Sequence, residues 1–191
     1  MADQQQAELR KVLRQRRQSL APSLRTAAEQ RIITELNNCA VVSSARTVAA
    51  FISINGEVSL QRWLLNAARN HRIALPVIDP CSQSRQMTFH EYRAGDALAP
   101  NRFGIPEPAP DTPKCKSRHI DVMLLPVVGF DASGTRLGMG AGYYDRYLGA
   151  AKKKPYLLGV AFACQQVERL DRAEWDMPLD AVVTEDGLLE F

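Results

Sequence analysis

Residues 121–146 read DVMLLPVVGFDASGTRLGMGAGYYDR, and they are the most informative stretch for the fold class. Residues 121–130 are apolar almost throughout, which predicts a strand buried within a sheet. A run of glycines follows, and a helix is predicted over residues 144–153. A strand that leads through a glycine loop into a helix is typical of open α/β sheets, in which ligands bind at the carboxyl ends of the strands.

The rest of the chain also alternates between helical and extended patterns. The spacing of apolar residues predicts a helix at residues 4–18, a second that begins at Pro22, and a third at residues 60–67 capped by Ser59. Strands are predicted at residues 47–54, 72–78, 87–92, 156–163 and 181–184, the last of which closes the chain. We therefore predict a single α/β domain over residues 1–191, with a largely parallel sheet and helices on both faces.

One segment does not fit this alternation. Five prolines fall within residues 100–113, where regular structure is not expected. The segment also contains the apolar residues Phe103 and Ile105, so we predict an ordered crossing loop rather than a flexible linker.

Length and composition restrict the classes of protein to which the chain can belong. Its 191 residues, 46% hydrophobic and 24% charged, are typical of one soluble globular domain. The four scattered cysteines predict reduced thiols rather than a zinc site. The sequence has no apolar run of about 18 residues and begins with a polar rather than signal-like segment, so a cytosolic protein is predicted. A net charge of +3 suits an anionic small-molecule substrate and does not by itself indicate nucleic acid.

The glycine run has the features of a loop that binds polyphosphate. Gly138, Gly140 and Gly142 alternate there, and glycine lets the backbone approach an anion closely with its N–H groups. Arg136 adds a planar cation, and the helix that follows offers its N-terminal dipole. The spacing matches neither the Rossmann G-x-G-x-x-G pattern nor the P-loop. We predict a loop for a nucleotide polyphosphate, and a tight strand-to-helix turn is the alternative.

Three acidic residues are candidates for a metal site. Asp145, at the start of a predicted helix, can hold Mg²⁺ or simply cap the helix. Asp176 lies between bulky apolar residues near the last strand and is a candidate for a second carboxylate, with Asp180 as its alternative. Two acids suffice, because Mg²⁺ usually takes one or two carboxylates together with phosphate oxygens and water.

Two further candidates lie outside the glycine run. Arg10 and Arg14 share a face of the cationic first helix and can converge on one anion, although a solvated helix surface is the alternative. Nucleic-acid binding is disfavoured because no aromatic stacking pattern accompanies these charges. Glu57 follows a turn after a buried strand, where it is either a functional or a solvated acid. A triad hydrolase is not expected, since the sequence has no G-x-S-x-G elbow.

The stretch at residues 124–146 resembles the signature of the 5-formyltetrahydrofolate cyclo-ligase family, whose members are also called methenyltetrahydrofolate synthetases. Other landmarks of that family follow in the same order: Phe51-Ile52-Ser53 with Glu57, residues 101–108, residues 159–162 with Gln165, and residues 175–177 before residues 182–184. The resemblance covers essentially the whole chain and is strongest to the shorter bacterial members.

This resemblance implies an enzyme that uses ATP and Mg²⁺ to convert 5-formyltetrahydrofolate to 5,10-methenyltetrahydrofolate, releasing ADP and phosphate. The formyl oxygen would take the γ-phosphoryl group, N10 of the folate would attack the activated carbon, and phosphate would leave. A non-catalytic folate- or nucleotide-binding protein is the alternative. A monomer that acts on a small-molecule folate, with or without a polyglutamate tail, is expected.

The resemblance also implies roles for individual residues. The residues expected to bind ATP are Arg10, Lys11, Gly134, Arg136, Leu137, Gly138, Met139, Gly140, Ala141, Gly142 and Tyr144. Those expected to bind the folate are Glu57, Met139, Gly140, Ala141, Gly142 and Tyr143. Asp145 and Asp176 would hold Mg²⁺, and Arg136 and Tyr143 would act in catalysis.

Two positions depart from the family pattern. Many members carry lysine four residues before Arg10, where this chain has Gln6. Either Lys11 supplies the missing cation from the neighbouring turn, or ATP binds with one cation fewer. Ala141 stands where glycine or lysine is common, and the glycines on either side of it are intact.

Overall fold

A computed structural model describes residues 2–81 and 86–191. The helices are α1 (Ala2–Gln18), α2 (Pro22–Asn38), α3 (Ala40–Ser44), α4 (Gln61–Ala67) and α5 (Tyr143–Ala150). The strands are β1 (Thr47–Ala49), β2 (Arg72–Ile78), β3 (Met87–Tyr92), β4 (Leu98–Pro100), β5 (Pro106–Pro108), β6 (Lys114–Cys115), β7 (Val122–Pro126), β8 (Gly129–Phe130), β9 (Arg136–Leu137), β10 (Tyr156–Val160), β11 (Ala181–Thr184) and β12 (Gly187–Glu190). Within the described ranges, no helix is both long and apolar enough to cross a membrane.

The main sheet has the spatial strand order β12-β11-β10-β7-β1-β2-β3-β6. The pairs from β11 to β2 are parallel, whereas β12, β3 and β6 run antiparallel to their neighbours. The ribbons β4–β5 and β8–β9 lie outside this sheet. The prediction of a largely parallel sheet is therefore confirmed, with antiparallel strands added at both edges.

Helices cover both faces of the sheet, as predicted. On one face α2 and α4 bury Ile32, Leu36 and Trp63 against side chains of the strands. On the other face α5 buries Leu148, and its Tyr147 ring meets Phe89 of β3 edge-on with the centroids 4.9 Å apart. Residues of α5 also line the cleft described below, so this helix is both a packing element and a wall of the site.

The strand predicted over residues 121–130 is interrupted. β7 ends at Pro126, and the chain pairs again only at β8. Between the two, Gln165 Nε2 donates to the carbonyls of Val127 and Val128 at 2.7 and 2.9 Å. Both valines remain buried, so the apolar pattern continues through a segment whose carbonyls accept from a side chain, while the N–H of Val128 donates to Leu137 of β9 at 2.8 Å.

The strand predicted over residues 47–54 also ends early, at Ala49. The segment after it leaves the sheet and forms the turn that presents Glu57. The carboxylate of Glu57 accepts the N–H of Ile54 at 3.1 Å, which satisfies a backbone donor that no strand pairs. The apolar run over residues 47–54 thus continues beyond the last residue of β1.

Several predicted element ends are wrong. Ser59 does not cap the third helix, because α4 follows Leu60 and the Ser59 N–H donates to Glu29 of α2 at 3.1 Å. The helix predicted over residues 144–153 is α5, and the strand predicted over residues 156–163 is the shorter β10. The strand at residues 181–184 does not close the chain, because β12 turns back and pairs with it.

The expectation of no regular structure within residues 100–113 is wrong, because the segment contains β5 and the end of β4, which pair as a short antiparallel ribbon. Prolines fit there because each strand has three residues and lies outside the main sheet. Asn101 shapes the turn, since its Oδ1 accepts two backbone N–H groups at 2.9 and 3.1 Å. Glu107 Oε2 connects the ribbon to β2 by accepting the N–H of Ile78 at 3.1 Å, and it also accepts from Asn101 Nδ2 at 2.9 Å.

Helix α1 packs beside the sheet through its Leu13 and Arg17. Leu13 is fully buried in a cluster with Val128 and Leu137. The guanidinium of Arg17 is also fully buried and donates to the carbonyls of Asn55, at 3.1 and 3.2 Å, and of Val127, at 3.3 Å. Its Nη2 lies 3.7 Å from the carboxylate of Glu57. Arg17 therefore joins α1 to the ends of β1 and β7.

We expect Arg17→Ala to lower the free energy of unfolding by about 3 kcal/mol or more, because it leaves the buried Glu57 carboxylate and two carbonyls without their cation. Urea unfolding followed by circular dichroism measures this loss. Arg16→Ala is the matched control, since Arg16 is exposed and the same charge is removed. Equal losses in the two variants would contradict the structural role of Arg17.

Candidate active site

A cleft of about 1110 Å³ opens at the carboxyl ends of β1, β2 and β7. Phe51 follows β1, Ile78 ends β2 and Pro126 ends β7, and all three line the cleft. The opposite walls come from α1, the ribbon turn after β4, the glycine loop and the loop before β11. This is the position at which ligands bind in parallel α/β sheets.

The glycine loop, residues 138–142, forms one wall of the cleft. Gly140 and Gly142 have φ values of 89° and 67°, a left-handed conformation that residues with a side chain rarely adopt. A Cβ added at Gly138 would meet no heavy atom within 4 Å, so space for a ligand is open beside it. Gly142 leads directly into α5, whose first turn carries Asp145.

Arg136 lies between two carboxylates at this wall. Its guanidinium donates to the carboxylate of Asp145 and to the carbonyl of Met177. Burial lowers the pKa of Arg136, while the negative charges of Asp145 and Asp176 act in the opposite direction. The result is a cation fixed in position by groups on α5 and on the loop before β11, where it can meet a phosphate oxygen.

Asp145 and Asp176 both line the cleft, whereas the alternative Asp180 does not. Asp176 Oδ2 accepts the N–H of Ala173 at 2.9 Å, which orients its carboxylate. Asp180 is exposed and accepts the N–H of Leu157 at 2.7 Å. Two carboxylates beside the glycine loop fit the ligand preference of Mg²⁺, which usually takes one or two protein carboxylates together with phosphate oxygens and water.

Glu57 lines the cleft from the turn after β1 and is only 8% exposed. Burial raises the pKa of this carboxyl, and the N–H of Ile54 and the charge of Arg17 act against that rise. Burial likewise raises the pKa of Tyr144, which lies near the charges of Glu57 and Arg136. Tyr144 thus lies between the carboxylate turn and the guanidinium of the glycine-loop wall.

Helix α1 contributes Arg10 and Gln6 to the cleft. Arg10 Nε donates to the carbonyl of Gly138 at 2.9 Å, and its Nη2 donates to Gln6 Oε1 at 3.0 Å. A Cβ at Gly140 would lie 3.6 Å from the Arg10 guanidinium, so helix and loop are in close contact. Gln6 therefore orients Arg10 by a neutral hydrogen bond.

Three residues singled out from the sequence lie away from the walls of the cleft. Lys11 is exposed and pairs with Glu8 at 3.8 Å, and Arg14 is likewise not part of the lining. Gly134 forms a left-handed turn with a φ of 75°, where an added Cβ would lie 2.8 Å from the carbonyl oxygen of Leu179. Gly134 therefore shapes a turn packed against the loop before β11.

Tyr143 lies at the mouth of the cleft. Its hydroxyl accepts a hydrogen bond from Arg102 Nη2 at 2.7 Å, and its ring meets Phe103 edge-on at a centroid distance of 6.3 Å. The remaining residues of the predicted set, Leu137, Met139, Gly140, Ala141 and Gly142, also line the cleft. The structure thus brings together most of the residues expected from the sequence.

Sequence reasoning did not single out Arg17, and it named Asn101 and Gln165 only as landmarks of the resembled family, without a structural role. Arg17 follows Leu9 and Leu13 at intervals of four residues, so its place on the buried face of α1 was visible as a pattern. No comparable signal exists for Asn101 or Gln165, whose roles are hydrogen bonds to backbone groups of their own loops and of β7's continuation.

Comparison with known proteins agrees with this geometry. A model of the 5-formyltetrahydrofolate cyclo-ligase family matches residues 2–185. The chain is 38% identical over 183 residues to the 5-formyltetrahydrofolate cyclo-ligase of Escherichia coli strain K12, covering 94% of this chain and 100% of that protein. It is 32% identical over 182 residues to the Haemophilus influenzae 5-formyltetrahydrofolate cyclo-ligase, covering 94% of this chain and 97% of that protein.

Solved structures agree as well. The fold is similar to that of Aquifex aeolicus 5,10-methenyltetrahydrofolate synthetase, with a TM-score of 0.85 and 30% identity over 97% of this chain and 92% of that chain. It is also similar to the fold of a 5,10-methenyltetrahydrofolate synthetase from Mycoplasma pneumoniae, with a TM-score of 0.76 and 24% identity over 94% of this chain and 98% of that one. The chain belongs to the 5-formyltetrahydrofolate cyclo-ligase family.

Proposed function

We propose that this enzyme converts 5-formyltetrahydrofolate to 5,10-methenyltetrahydrofolate with ATP and Mg²⁺, releasing ADP and phosphate. One observation carries the proposal: a single cleft combines a buried carboxylate, Glu57, with a glycine loop and an arginine held between two acids. The Glu57 carboxylate suits the N–H donors of a pterin. The glycine loop, Arg136 and its two acids suit the triphosphate of a magnesium nucleotide. Membership of the family supports the same reaction.

In this proposal the nucleotide lies along the glycine loop. Backbone N–H groups of residues 137–142 and the guanidinium groups of Arg10 and Arg136 face its phosphates, with Tyr144 beside them. Asp145 and Asp176 are the protein ligands of Mg²⁺. When bound, Mg²⁺ supplies positive charge that offsets the charge developing on the phosphate oxygens.

The folate lies across from the nucleotide, with its pterin ring at Glu57. The carboxylate can accept two parallel N–H donors from the aminopyrimidine part of the ring, which fixes the orientation of the substrate. Residues 139–143 border the folate on the other side. The formyl group is thereby held beside the γ-phosphate, and this positioning is the main contribution of the protein to the rate.

ATP is needed because a formamide carbonyl is a poor electrophile and its oxygen is a poor leaving group. The formyl oxygen takes the γ-phosphoryl group while ADP leaves, and N10 then attacks the activated carbon. Loss of the N10 proton and departure of phosphate give the cyclic product. Arg136 stabilises the phosphoryl charge during transfer, and Tyr143 keeps the reacting part of the folate in place.

Two accessory statements belong to the proposal. The substrate is a small-molecule folate, with a polyglutamate tail accepted, and the working unit is a monomer. The reaction takes place in the cytosol, a compartment typical of proteins whose cysteines remain thiols, as Cys39, Cys81, Cys115 and Cys164 do.

The direct experiment mixes the purified chain with 5-formyltetrahydrofolate, ATP and Mg²⁺ and follows the near-ultraviolet band of the methenyl product. ADP release in equal amount is expected. Saturable binding of both ligands without product or ADP would instead indicate a non-catalytic binding protein and would overturn the proposal.

We expect Arg136→Ala to lower kcat by about 100-fold or more, because a fixed charge donor to the transferring phosphoryl group is lost. Thermal unfolding measured in parallel separates this loss from misfolding. The Arg136→Lys variant keeps the positive charge but lacks the paired N–H donors of the guanidinium. Turnover within a few-fold of the wild type in a folded Arg136→Ala variant would contradict the assigned role.

We expect Asp145→Asn and Asp176→Asn each to raise the Mg²⁺ concentration needed for half-maximal activity, because each removes a charged oxygen ligand. A Mg²⁺ titration of the initial rate measures the change. Asp180→Asn is the matched control and should titrate as the wild type does. An unchanged titration in both cleft variants would argue against metal binding there.

We expect kcat/KM for the folate to fall as the pH is lowered, because protonated Glu57 cannot accept both pterin N–H groups. Burial raises the pKa of Glu57, so the fall begins at a higher pH than for an ordinary glutamate. Glu57→Gln should have a low kcat/KM without this acidic limb, whereas the exposed Glu168→Gln should keep the wild-type profile. A retained acidic limb in Glu57→Gln would assign the titration to another group.

A further inference from the structure

The turn that carries Glu57 has an unusual backbone. Asn55 and Gly56 have φ values of 49° and 74°, and within the described ranges Asn55 is the one residue other than glycine with a positive φ. Two consecutive left-handed residues cost free energy and persist only where surrounding groups hold them. The direction of the Glu57 carboxylate, which lines the cleft, therefore depends on the groups that support this turn.

Helix α2 supports the turn at both ends. Arg25 Nη1 donates to the carbonyl of Gly56 at 3.0 Å, which holds the chain just before Glu57. One helical turn further along α2, Glu29 Oε1 accepts the N–H of Ser59 at 3.1 Å, which holds the chain just after it. Neither side chain lines the cleft, so neither contacts a ligand bound there. We call Arg25 and Glu29 the α2 clamp.

The α2 clamp is itself fixed by neighbouring groups. Arg25 Nη1 lies 3.9 Å from Glu29 Oε1, and the two side chains are only 22% and 21% exposed. The guanidinium of Arg25 also lies 4.9 Å from the ring centroid of the fully buried Phe162 and donates to the backbone carbonyl of Arg17. Charged groups with several partners and little contact with water keep one orientation, so the clamp holds the turn in one place.

We propose that Arg25 and Glu29 are positioning residues for the folate, which hold the turn so that the Glu57 carboxylate meets the N–H groups of the pterin. The inference rests on the proposed function, because that function places the pterin at Glu57. A carboxylate that accepts two parallel N–H donors tolerates little displacement, so loosening either end of the turn weakens folate binding. The nucleotide of the proposed function lies along the glycine loop, on another wall of the cleft, and does not depend on the clamp.

The test measures the KM for 5-formyltetrahydrofolate and the KM for ATP, each at saturation of the other substrate. We expect Arg25→Ala and Glu29→Ala each to raise the KM for the folate about tenfold, the size of one hydrogen bond to a charged group, and to leave the KM for ATP within about twofold. Glu29→Gln should have the wild-type KM for the folate, because its amide oxygen still accepts the Ser59 N–H. Arg31→Ala is the matched control, since Arg31 is exposed on the same helix and the same charge is removed.

Three results would overturn the clamp. The first is an unchanged KM for the folate in Glu29→Ala. The second is an equal rise in both KM values, which a general loosening of the fold would cause and which thermal unfolding would show. The third is a Glu29→Gln variant as impaired as Glu29→Ala, since charge rather than the hydrogen bond would then matter. If Arg25→Ala does not fold, the two Glu29 variants decide alone.

Calorimetric binding of 5-formyltetrahydrofolate without ATP separates the clamp from the reaction. If the wild type forms no product but binds the folate, and only Glu29→Ala of the two Glu29 variants binds it more weakly, the proposed function fails and the clamp stands. Equal binding by the wild type and both variants overturns the clamp. A wild type that does not bind the folate overturns both.

Discussion

The guanidinium of Arg17 joins three segments that are distant in the sequence. It reaches the carbonyls of Asn55 and Val127 and the carboxylate of Glu57, which bring together α1, the turn after β1 and the end of β7. Moving such a cation out of water costs several kcal/mol, and these oxygen partners offset that cost only while they stay in place. Helix α1 therefore packs in place through the same contacts that hold the Glu57 carboxylate at the cleft.

The wall of the cleft around Arg136 has a different charge arrangement. Arg136 contributes one positive charge between the two negative charges of Asp145 and Asp176, so the group carries an excess of negative charge. This excess favours a divalent cation, whereas the guanidinium alone favours a phosphate oxygen. The magnesium nucleotide of the proposed function would supply both partners at once.

Much of the fold and of the lining of the cleft could be predicted from the sequence. The features that could not be predicted depend on contacts between distant residues. The parallel sheet, the glycine loop after β7 and the place of Asp145 at the start of a helix follow from periodicity and residue type, which local sequence carries. The early ends of β1 and β7 could not be predicted in this way. The residues after each strand remain apolar, but Glu57 accepts the N–H of Ile54 and Gln165 donates to the carbonyl of Val127, so side chains bond backbone groups there. Residue type alone left Asp176 and Asp180 as alternatives, and the family resemblance favoured Asp176, which lines the cleft whereas Asp180 does not.

The short ribbon of β4 and β5 places its turn at a distance from the strand ends that form the floor of the cleft. Glu107 attaches the ribbon to β2 through the N–H of Ile78, and the turn at residues 102–104 projects beyond this attachment. Residues in that turn can be exchanged without altering the strand ends where bond making and breaking would occur. The rim of the cleft and the strand ends beneath it are thus separate parts of the structure, joined through Glu107.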